Sequence, residues 1–452
     1  MQANEVSTNH LIVFARVPKP GHNKTRLIPA LGPDKATEVY RFLARSTLAA
    51  AGRVRHKLES LKICIFFTGG SLDEASTAFG KPFQYAEQCG ETLGDRLKFA
   101  VSSAFESGAE RVVVIGTDCP ELTSDDLEAA FSELENSELV VGPAHDGGYY
   151  LIGMNSCQPR LFEEVEWSTN RVFEQTTERA KALGLQVHGL RYLSDIDHPE
   201  DLISLRHRQG SGELPLKTMR GRLSVIIPTL NEAENLPQTL EAVGELNDHL
   251  EIIVVDGGSS DSTVAIAKSH GCHTFVAKRG RANQLNAGAA VASGDQLMFL
   301  HADTSLPPGY ENEVKRILNT DALCGAFPLK LEGTGFGLRV VEAGVKLRCK
   351  YLDLPYGDQA IFLRAADFFK FGGFKPMVIM EDYEFVARIR SVGRIQMASL
   401  PVKTSVRRWK RKGIFRTTVL NQICIVAYKL GFSDKSIAKL YHGEKVSNRG
   451  GQ

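Results

Sequence analysis

Hydrophobic and polar positions form alternating blocks along this chain. In the first half, the short apolar runs that predict strands are LIVFAR (11–16), KICIFF (62–67), RVVVIG (111–116), ELVVGPA (138–144) and YYLIGM (149–154). Between the second and third of them, apolar residues recur with the spacing of one helix face, at Leu93, Leu97, Ala100, Val101, Ala104 and Phe105. Strands that alternate with helices predict a mostly parallel α/β sheet.

A second series of strands begins at Leu223, and each of its strands ends in acidic or polar residues. The three segments are LSVIIPTLNEAENL, EIIVVDGGSSDST and DQLMFLHADT. Open α/β sheets bind their ligands beyond the carboxyl ends of the strands, so we expect Asp256 and Asp303 to lie in a site. VVVIGTD (112–118) has the same pattern as LMFLHAD (297–303). The chain is therefore predicted to contain two domains of related fold.

The length of the chain also indicates more than one domain. It has 452 residues, which is more than one hydrophobic core usually holds. HRQGSGELPLKTMRGR (207–222) has no periodicity and is rich in Gly, Ser, Pro and charge, so it is interpreted as a linker. The predicted organisation is a first domain at 1–206, a linker at 207–222, a second domain at 223–402 and a basic helical extension at 403–452.

Composition narrows the classes of function. A formal net charge of only +1 does not indicate a nucleic-acid-binding protein. The eight cysteines include no CxxC pair, which fits a reducing cytosol. The first ten residues lack the basic and apolar segments of a signal peptide, and no window holds about 18 uninterrupted apolar residues. We expect a cytoplasmic protein; the oligomeric state has no signal in the sequence.

The acidic residues of the second half suit the chemistry of a nucleotide sugar. Ribose and base need hydrogen-bond acceptors, which Asp256 would supply. The diphosphate needs a cation to neutralise its growing charge, and Asp303 would hold Mg²⁺ or Mn²⁺ through oxygen. An acceptor hydroxyl needs a general base, and Asp382 in MEDYEF (380–385), with Glu381 beside it, is the candidate.

Five segments in this order, IPTLNEAENL, VVDGGSSDST, GRANQLNAGAAVASGD, FLHADT and MEDYEF, resemble family 2 glycosyltransferases of the GT-A fold. The resemblance is nearest to a bacterial subgroup of small soluble members, some labelled as arsenosugar or selenium-associated transferases. It implies inverting, metal-dependent transfer from a nucleotide sugar to an acceptor that the sequence does not name. Carried over by position, it implies a nucleotide pocket at Pro228, Glu232 and Asp256 and a phosphate loop at Arg281 and Asn286. It implies Asp303 as the metal residue and Asp382 as the catalytic base. The acceptor side would include Asp358 and Gln359.

Two positions depart from the family pattern. His301 stands where the metal motif usually has its first aspartate, and it is interpreted as structural. No QxxRW element is present, but VRRWKRKG (406–413) resembles its end. Arg408 and Trp409 are therefore expected to approach the acceptor or the diphosphate.

The segment KTSVRRWKRKGIFR (403–416) contains seven basic residues and no acidic one. An apolar helical face follows it, at Val419, Leu420, Ile423, Val426, Ala427 and Leu430. One hypothesis is peripheral contact with anionic lipid through 403–430 at the inner membrane face. The alternative, which we expect, is a helix packed on the core of the second domain.

The first half has its own candidate site. FARVPKPGHNKTRLIPALG (14–32) is a strand followed by a Pro/Gly loop, which would suit phosphate; the later GTDCPEL (116–122) and AHDGGYYLIG (144–153) add acids. PKPGHNKTRL, GTDCPELT, DGGYYLIG and DIDHPEDL resemble an uncharacterised bacterial family related to molybdopterin- and phospholactate-guanylyltransferases. From the residues themselves, the candidates are the loop cations Arg16, Lys24 and Arg26, with Asp118 as a metal residue and Asp146 as a second acid. The resemblance implies a second GT-A-like fold and adds Asp95.

The glycine-rich loop LxGGxSxRxG of true guanylyltransferases is absent from the first half. Two hypotheses therefore stay open for this domain. It is an active nucleotidyltransferase that supplies the donor of its neighbour, or it is a non-catalytic nucleotide-binding module.

Overall fold

The computed structural model describes residues 8–58, 60–81, 83–209, 216, 218–407 and 413–442. The chain divides into two compact units, Met1–Asp197 and His198–Gln452. Each unit is an α/β domain built on a mixed, mostly parallel sheet, as the alternation of strands and helices predicts.

The sheet of the first unit has the strand order β3-β2-β1-β4-β6-β5-β7. β1 lies parallel to both β2 and β4, whereas β6 runs antiparallel to β4 and β5. The five strands predicted from apolar runs are all present, and two short strands at the sheet edges are added to them. The bounds are β1 Asn9–Arg16, β2 Lys62–Thr68, β3 Gln84–Glu87, β4 Arg111–Ile115, β5 Leu139–Pro143, β6 Tyr149–Met154 and β7 Val187–Gly189.

Helices cover both faces of this sheet because successive side chains of a strand point to opposite sides. Leu11 and Val13 of β1 belong to one buried cluster, and Ile12 between them belongs to the other. The first cluster packs against Pro33–Arg55 and the second against Leu93–Glu106. The helices of the unit are Ile28–Leu31, Pro33–Arg55, Leu72–Phe79, Leu93–Glu106, Ser124–Glu133 and Val172–Ala182, with 3₁₀ turns at Thr25–Leu27 and Pro159–Phe162.

The main sheet of the second unit has the order β10-β9-β8-β11-β15-β13-β16, and a small sheet has the order β12-β17-β14. β8 lies parallel to β9 and β11, and β15 runs antiparallel to β11 and β13. The bounds are β8 Met219–Thr229, β9 Leu250–Asp256, β10 His273–Val276, β11 Gly294–Phe299, β12 Thr304–Ser305, β13 Cys324–Ala326, β14 Leu329–Leu331, β15 Ile361–Arg364, β16 Ile395–Met397 and β17 Val402–Thr404.

The helices of the second unit cover its main sheet and continue to the end of the described chain. They are Leu202–Gln209, Leu236–Val243, Thr263–Ser269, Arg281–Val291, Tyr310–Leu318, Phe336–Leu352, Ala365–Lys370, Glu381–Arg390, Ile414–Lys429 and Asp434–His442, with 3₁₀ turns at Pro199–Asp201 and Gly357–Gln359.

The two main sheets have the same strand order. If the seven strands of each main sheet are numbered along the chain, both read 3-2-1-4-6-5-7, with the sixth strand antiparallel. β4 and β11 are therefore equivalent: each lies between the first strand of its unit and the antiparallel strand. This confirms the prediction of two related folds, in which the segments 112–118 and 297–303 have equivalent positions.

The division between the units lies earlier than the predicted domain end at 206. Residues from His198 onward belong to the second unit, where Pro199–Asp201 and Leu202–Gln209 pack against Arg281–Val291. Arg206, which is buried, donates from Nη2 to the carbonyl of Ala292 at 3.4 Å, and Nδ1 of His207 lies 2.7 Å from the carbonyl oxygen of Phe369. These contacts place the helix Leu202–Gln209 in the second unit.

The predicted linker at 207–222 also contains structure. Residues 210–215 and 217 lie outside the described part of the chain, but 219–222 begin β8. Met219 pairs with Gly294 across a register shift, and Gly221, at φ 78°, donates to Asp295 at 2.9 Å. This irregular pairing holds a polar segment in the strand. Similarly, β17 crosses the predicted domain end at 402 because it joins the small sheet.

The helix Ile414–Lys429 does not bury the predicted apolar face. Val419, Ile423, Val426 and Leu430 are exposed, whereas Cys424 is buried. The expected packing of this helix on the second domain is therefore limited: it contacts Phe336–Leu352 and buries Cys424, but it leaves most of the predicted apolar face exposed. Within the described residues, we find no helix with the length and apolar character needed to cross a bilayer.

Candidate functional site

The candidate site of the second unit begins where the predicted base lies. Glu381 and Asp382 form the first turn of Glu381–Arg390, after Met380 at φ 74°. Asp382 accepts from the backbone N–H groups of Gly357 and Tyr383, both at 2.7 Å. A helix amino terminus favours negative charge, and these bonds fix the orientation of the carboxylate.

Arg281 connects the base to the rest of the site. Its Nη1 lies 3.2 Å from Oε1 of Glu381, which is buried. Burial raises the pKa of Glu381, the Arg281 guanidinium opposes that shift, and the Asp382 charge adds to it. The field of Arg281 also reaches Asp303. The predicted phosphate-loop arginine, the base and the metal residue are thus brought together.

Glu232 and Arg407 complete this cluster. Arg407 donates to both carboxylate oxygens of Glu232, at 2.9 and 3.2 Å. The N–H of Ser405 donates to the carbonyl of Asp303 at 3.1 Å, so the chain after β17 runs beside Asp303. Burial, and then the negative charge of Glu232, raise the pKa of the Asp303 carboxyl, and Arg407 partly offsets them.

Gly357 is a site residue that the sequence pattern did not single out. A Cβ at this position would lie 2.8 Å from Nε2 of His301 and 3.1 Å from Oδ2 of Asp382. A side chain there would displace one of the two groups, so glycine permits the close approach of backbone and base. His301 and the predicted base Asp382 therefore both lie next to Gly357.

Three predicted ligand residues are buried and already hydrogen-bonded within the protein. Asp256 accepts from the N–H groups of Gly258 and Ser259 at 2.8 and 2.7 Å, and from the Thr229 hydroxyl at 3.2 Å. The Asn286 amide donates to the carbonyl of Phe374 at 2.7 Å and accepts from its N–H at 2.9 Å. Their side chains shape neighbouring loops in this structure.

Gln359 is buried in the same way. Its Oε1 accepts from Arg348 at 2.9 Å and from the N–H of Tyr356 at 3.1 Å. The Asp358 carbonyl accepts from the Thr404 hydroxyl at 3.3 Å. These contacts tie the turn before β15 to the small sheet, next to Gly357.

The predicted nucleotide side of the site is a pair of linked loops after β8 and β9. Pro228 is paired with Val255 near the ends of these strands. Beyond them, the N–H of Asn231 donates to the Ser259 hydroxyl, and Asn231 Oδ1 accepts from the N–H of Ser260, both at 2.8 Å. The predicted residues Arg408 and Trp409 lie outside the described residues.

The donor set permits a divalent cation but does not enclose one. Asp303 is a partly buried carboxylate whose charge is disfavoured by Glu232 nearby, and a cation would relieve that repulsion. Among the described residues, no group of three or more His, Cys, Asp or Glu side chains forms a metal site. A metal held by Asp303 would therefore need further oxygen ligands from its substrate or from water.

In the first unit, Lys24 stands at the centre of the predicted site. It has φ 48° in the loop after β1, and only 5% of its side chain is exposed. Its Nζ lies 2.7 Å from Asp118 and 3.0 Å from Asp197, and Arg26 also contacts Asp197, at 2.6 Å. Burial alone would lower the pKa of Lys24, but the two carboxylates outweigh it and raise the pKa.

Asp195 and Asp197 are additions to the predicted set. Cys119 is buried, and burial followed by the charges of Asp195 and Asp118 raises its pKa, with a smaller effect of Asp146. Asp118, Asp146 and Asp195 therefore all lie near Cys119. Both added residues belong to DIDHPEDL, one of the segments that carry the family resemblance of the first half.

The remaining predicted residues of the first unit have local roles. Asp95 forms a capping box with Thr92, accepting from its hydroxyl at 2.6 Å. Asp146 accepts from the N–H of Gly148 at 2.8 Å within its own turn. The backbone N–H of Arg16, at the end of β1, donates to the Tyr40 hydroxyl at 2.7 Å. These positions are not drawn into the Lys24 cluster by any hydrogen bond between described residues.

Comparison with known proteins identifies the family of the second unit. Residues 224–375 match the model of glycosyl transferase family 2. The second unit belongs to this family. Glu232, Arg281 and Asp303 lie within the matched residues of this glycosyl transferase domain, and Asp382 follows them along the chain. Residues 53–169 of the first unit match a family described as an uncharacterised protein conserved in bacteria, DUF2064.

Curated relatives of the glycosyl transferase domain match only part of their own length. An undecaprenyl-phosphate 4-deoxy-4-formamido-L-arabinose transferase of Sodalis glossinidius is 32% identical over 113 residues, which are 22% of this chain and 34% of the relative. A dolichyl-phosphate beta-glucosyltransferase of Drosophila melanogaster is 34% identical over 99 residues, 18% of this chain and 30% of the relative. The chain thus spans about a third of these relatives.

Two solved structures are also similar to this chain. One is a proposed nucleotide-diphospho-sugar transferase from Desulfovibrio desulfuricans G20, with 31% identity, a TM-score of 0.42, and coverage of 46% of this chain and 89% of that one. The other is a mannosyltransferase from Pyrobaculum calidifontis in complex with GDP-Man and Mn²⁺, with 18% identity, a TM-score of 0.36, and coverage of 54% and 76%.

Proposed function

We propose that the glycosyl transferase domain moves a sugar from a nucleotide sugar to an acceptor, with inversion at the anomeric carbon. The observation that carries this proposal is the single cluster formed by Asp382, Glu381, Arg281, Asp303 and Glu232. It follows strand ends of an open α/β sheet, where such sheets bind ligands. The family match over 224–375 supports the same reaction class.

Donor binding is assigned to the loops after β8 and β9 and to the two arginines. The Asn231, Ser259 and Ser260 contacts form a polar rim that suits a nucleoside. Arg281 and Arg407 carry fixed positive charge beside Asp303, which suits the diphosphate as its charge grows. Asp303, with Glu232 near it, would hold Mg²⁺ or Mn²⁺, which would neutralise the leaving diphosphate.

Asp382 is assigned the role of general base. Each of its carboxylate oxygens accepts one backbone N–H and keeps capacity for another hydrogen bond. It would take the proton of an acceptor hydroxyl while the hydroxyl oxygen bonds to the anomeric carbon and the bond to the nucleoside diphosphate breaks on the opposite face. Arg281, which contacts the neighbouring Glu381, supplies positive charge near this carboxylate.

The acceptor is proposed from the names of relatives. Two of them carry undecaprenyl phosphate or dolichyl phosphate in their names. Lipid-linked acceptors therefore belong in the first panel to be assayed with this chain. The nucleotidyltransferase and nucleotide-binding hypotheses for the first unit stay predictions; the expected metal residue Asp118 forms an ion pair with Lys24.

The base assignment is tested with Asp382→Asn. This change keeps the shape of the side chain but removes its capacity to take a proton, so we expect glycosyl transfer to fall by about 100-fold or more. Donor-induced thermal stabilisation should persist. The measurement is release of nucleoside diphosphate in the presence of acceptor.

The matched control is Asp321→Asn, the same chemical change at an exposed ion pair with Arg394. It should leave transfer unchanged. Full transfer by Asp382→Asn, with Asp321→Asn equally active, would remove Asp382 from the mechanism.

A further inference from the structure

Large apolar side chains on the surface of the second unit are concentrated on its last helices. Of the twenty-one exposed large hydrophobic residues described, eleven lie in Phe336–Leu352 or after Ile414. Phe336–Leu352 and Ile414–Lys429 contact one another. Soluble monomers rarely expose a large contiguous apolar surface unless it binds something.

Both helices expose these residues with the spacing of a single helix face. We call this set the apolar face; its members are Phe336, Val340, Leu347 and Tyr351 on the first helix and Val419, Ile423, Val426 and Leu430 on the second. Phe336 is 87% exposed and Leu430 is 72% exposed. The apolar face is thus a feature of regular helices rather than of loose ends.

The sequence segment that contains the second helix of the apolar face is strongly basic. Residues 403–442 contain ten Lys or Arg and one acid, Asp434, which gives a formal charge of +9 where the whole chain has +1. Lys346 and Lys350 are exposed on the first helix, and Lys429, Lys435 and Lys439 are exposed on the last two. Exposed apolar side chains among lysines suit the surface of a lipid bilayer, whose acyl chains are apolar and whose headgroups can be negatively charged.

The helices of the apolar face also contact residues beside the proposed base. Tyr428 packs edge-on against Tyr383, with ring centroids 5.6 Å apart, and Tyr383 follows Asp382. The Arg348 guanidinium lies 3.4 Å above the ring of Tyr356, and Tyr356 precedes Gly357. The apolar face is therefore joined through aromatic contacts to the side of the site where Asp382 lies.

We propose that the apolar face, with its surrounding lysines and arginines, docks the glycosyl transferase domain on an anionic lipid bilayer. Docking inserts the exposed side chains into the interface, and the basic residues bind the acidic headgroups. As an extension that rests on the proposed function, the acceptor is a lipid-anchored molecule that reaches Asp382 from the bilayer. Docking itself needs no sugar donor.

The test is flotation of the full chain with vesicles of phosphatidylcholine alone and of phosphatidylcholine with roughly a third phosphatidylglycerol. We expect binding to the anionic vesicles, weak binding to the neutral ones, and loss of binding in high salt because surface charges are screened. Phe336→Ser with Leu430→Ser should weaken binding by at least about tenfold, since two exposed apolar side chains no longer enter the interface.

The matched control is Val276→Ser with Val392→Ser, which removes two apolar side chains that are 58% and 65% exposed elsewhere in the same unit. It should bind vesicles like the unmodified chain. Equal binding by both double variants, or no binding to anionic vesicles, overturns the proposal.

Two further measurements separate the alternatives. A dimer that becomes a monomer in Phe336→Ser with Leu430→Ser, without vesicle binding, would assign the apolar face to a second copy and overturn lipid docking. Donor-induced thermal stabilisation should be the same in all variants, because it depends on the site and not on the apolar face. Loss of vesicle binding with retained donor binding thus leaves the proposed function intact.

Discussion

The two units place an aspartate at the same position of the same strand order but give it different charged neighbours. In the first unit, Asp118 follows β4 and contacts Lys24. In the second, Asp303 follows β11, and burial and then the charge of Glu232 raise its pKa, which Arg407 and Arg281 partly offset. The strand order fixes where the acid lies, whereas the loop after the first strand decides its charge balance. In the first unit the chain itself neutralises the acid.

The largest expected effect tests whether the two aspartates differ in function. Asp303→Asn should lower glycosyl transfer by about 100-fold or more, because charge on the leaving diphosphate loses its compensation. Asp118→Asn should leave transfer unchanged, and it is the matched control. The measurement is nucleoside diphosphate release by the full chain. Equal losses in both variants would mean that the two sites act in one reaction.

A second prediction concerns the stability of the first unit. Lys24→Met leaves two carboxylates without their buried partner, so we expect the free energy of unfolding to fall by about 2 kcal/mol. The control is Lys19→Met, which breaks an ion pair with Glu74 at 2.9 Å. Both partners of that pair are well exposed, so its loss should cost less than about 0.5 kcal/mol.

Urea denaturation of the full chain measures both lysine variants. The transition to follow is the one that shifts in Lys24→Met but not in Lys19→Met. If the two variants unfold alike, the ion pairs of Lys24 do not stabilise the first unit more than an exposed ion pair does. The comparison of the two aspartates would then lack support from the first unit.

The smallest expected effect is a shift along the pH axis. The raised pKa of Asp303 means that metal-dependent donor binding weakens as pH falls through a value above that of an ordinary aspartate. Glu232→Gln removes a nearby negative charge, which lowers the pKa of Asp303. Binding should therefore persist to lower pH in the variant.

Thermal stabilisation by nucleotide sugar and Mn²⁺, measured as a function of pH, follows this shift. Glu241→Gln, at an exposed position of Leu236–Val243, is the control and should leave the profile in place. A profile that moves to higher pH in Glu232→Gln would contradict the proximity of Glu232 and Asp303.

Much of the fold follows from local pattern. Buried strands have apolar runs, and the common order of the two sheets was indicated by one shared element, the strand that ends in GTD or HAD. The linker and the domain ends were harder to predict. The mostly polar segment 219–222 joins β8 because Met219 pairs irregularly with Gly294 of β11. The sequence of 219–222 alone does not indicate this pairing.

Site residues were predictable where their position follows from the local sequence. Asp382 is found at a helix start, and Asp303 after a strand. Arg407 could not be found this way, because its partner Glu232 is 175 residues distant along the chain. Conversely, the cap role of Asp95 has a local signal, since a Thr three residues before an acid at a helix start indicates a capping box.

The packing of residues 198–209 determines how this protein can be divided for experiments. A fragment that starts at 222, after the predicted linker, would lack the helix that covers Arg281–Val291 and the His207 contact to Phe369. It would carry a newly exposed apolar surface next to the arginine of its own site. Separate expression of the two units should therefore cut between Asp197 and His198, which also leaves Lys24 with both of its carboxylates.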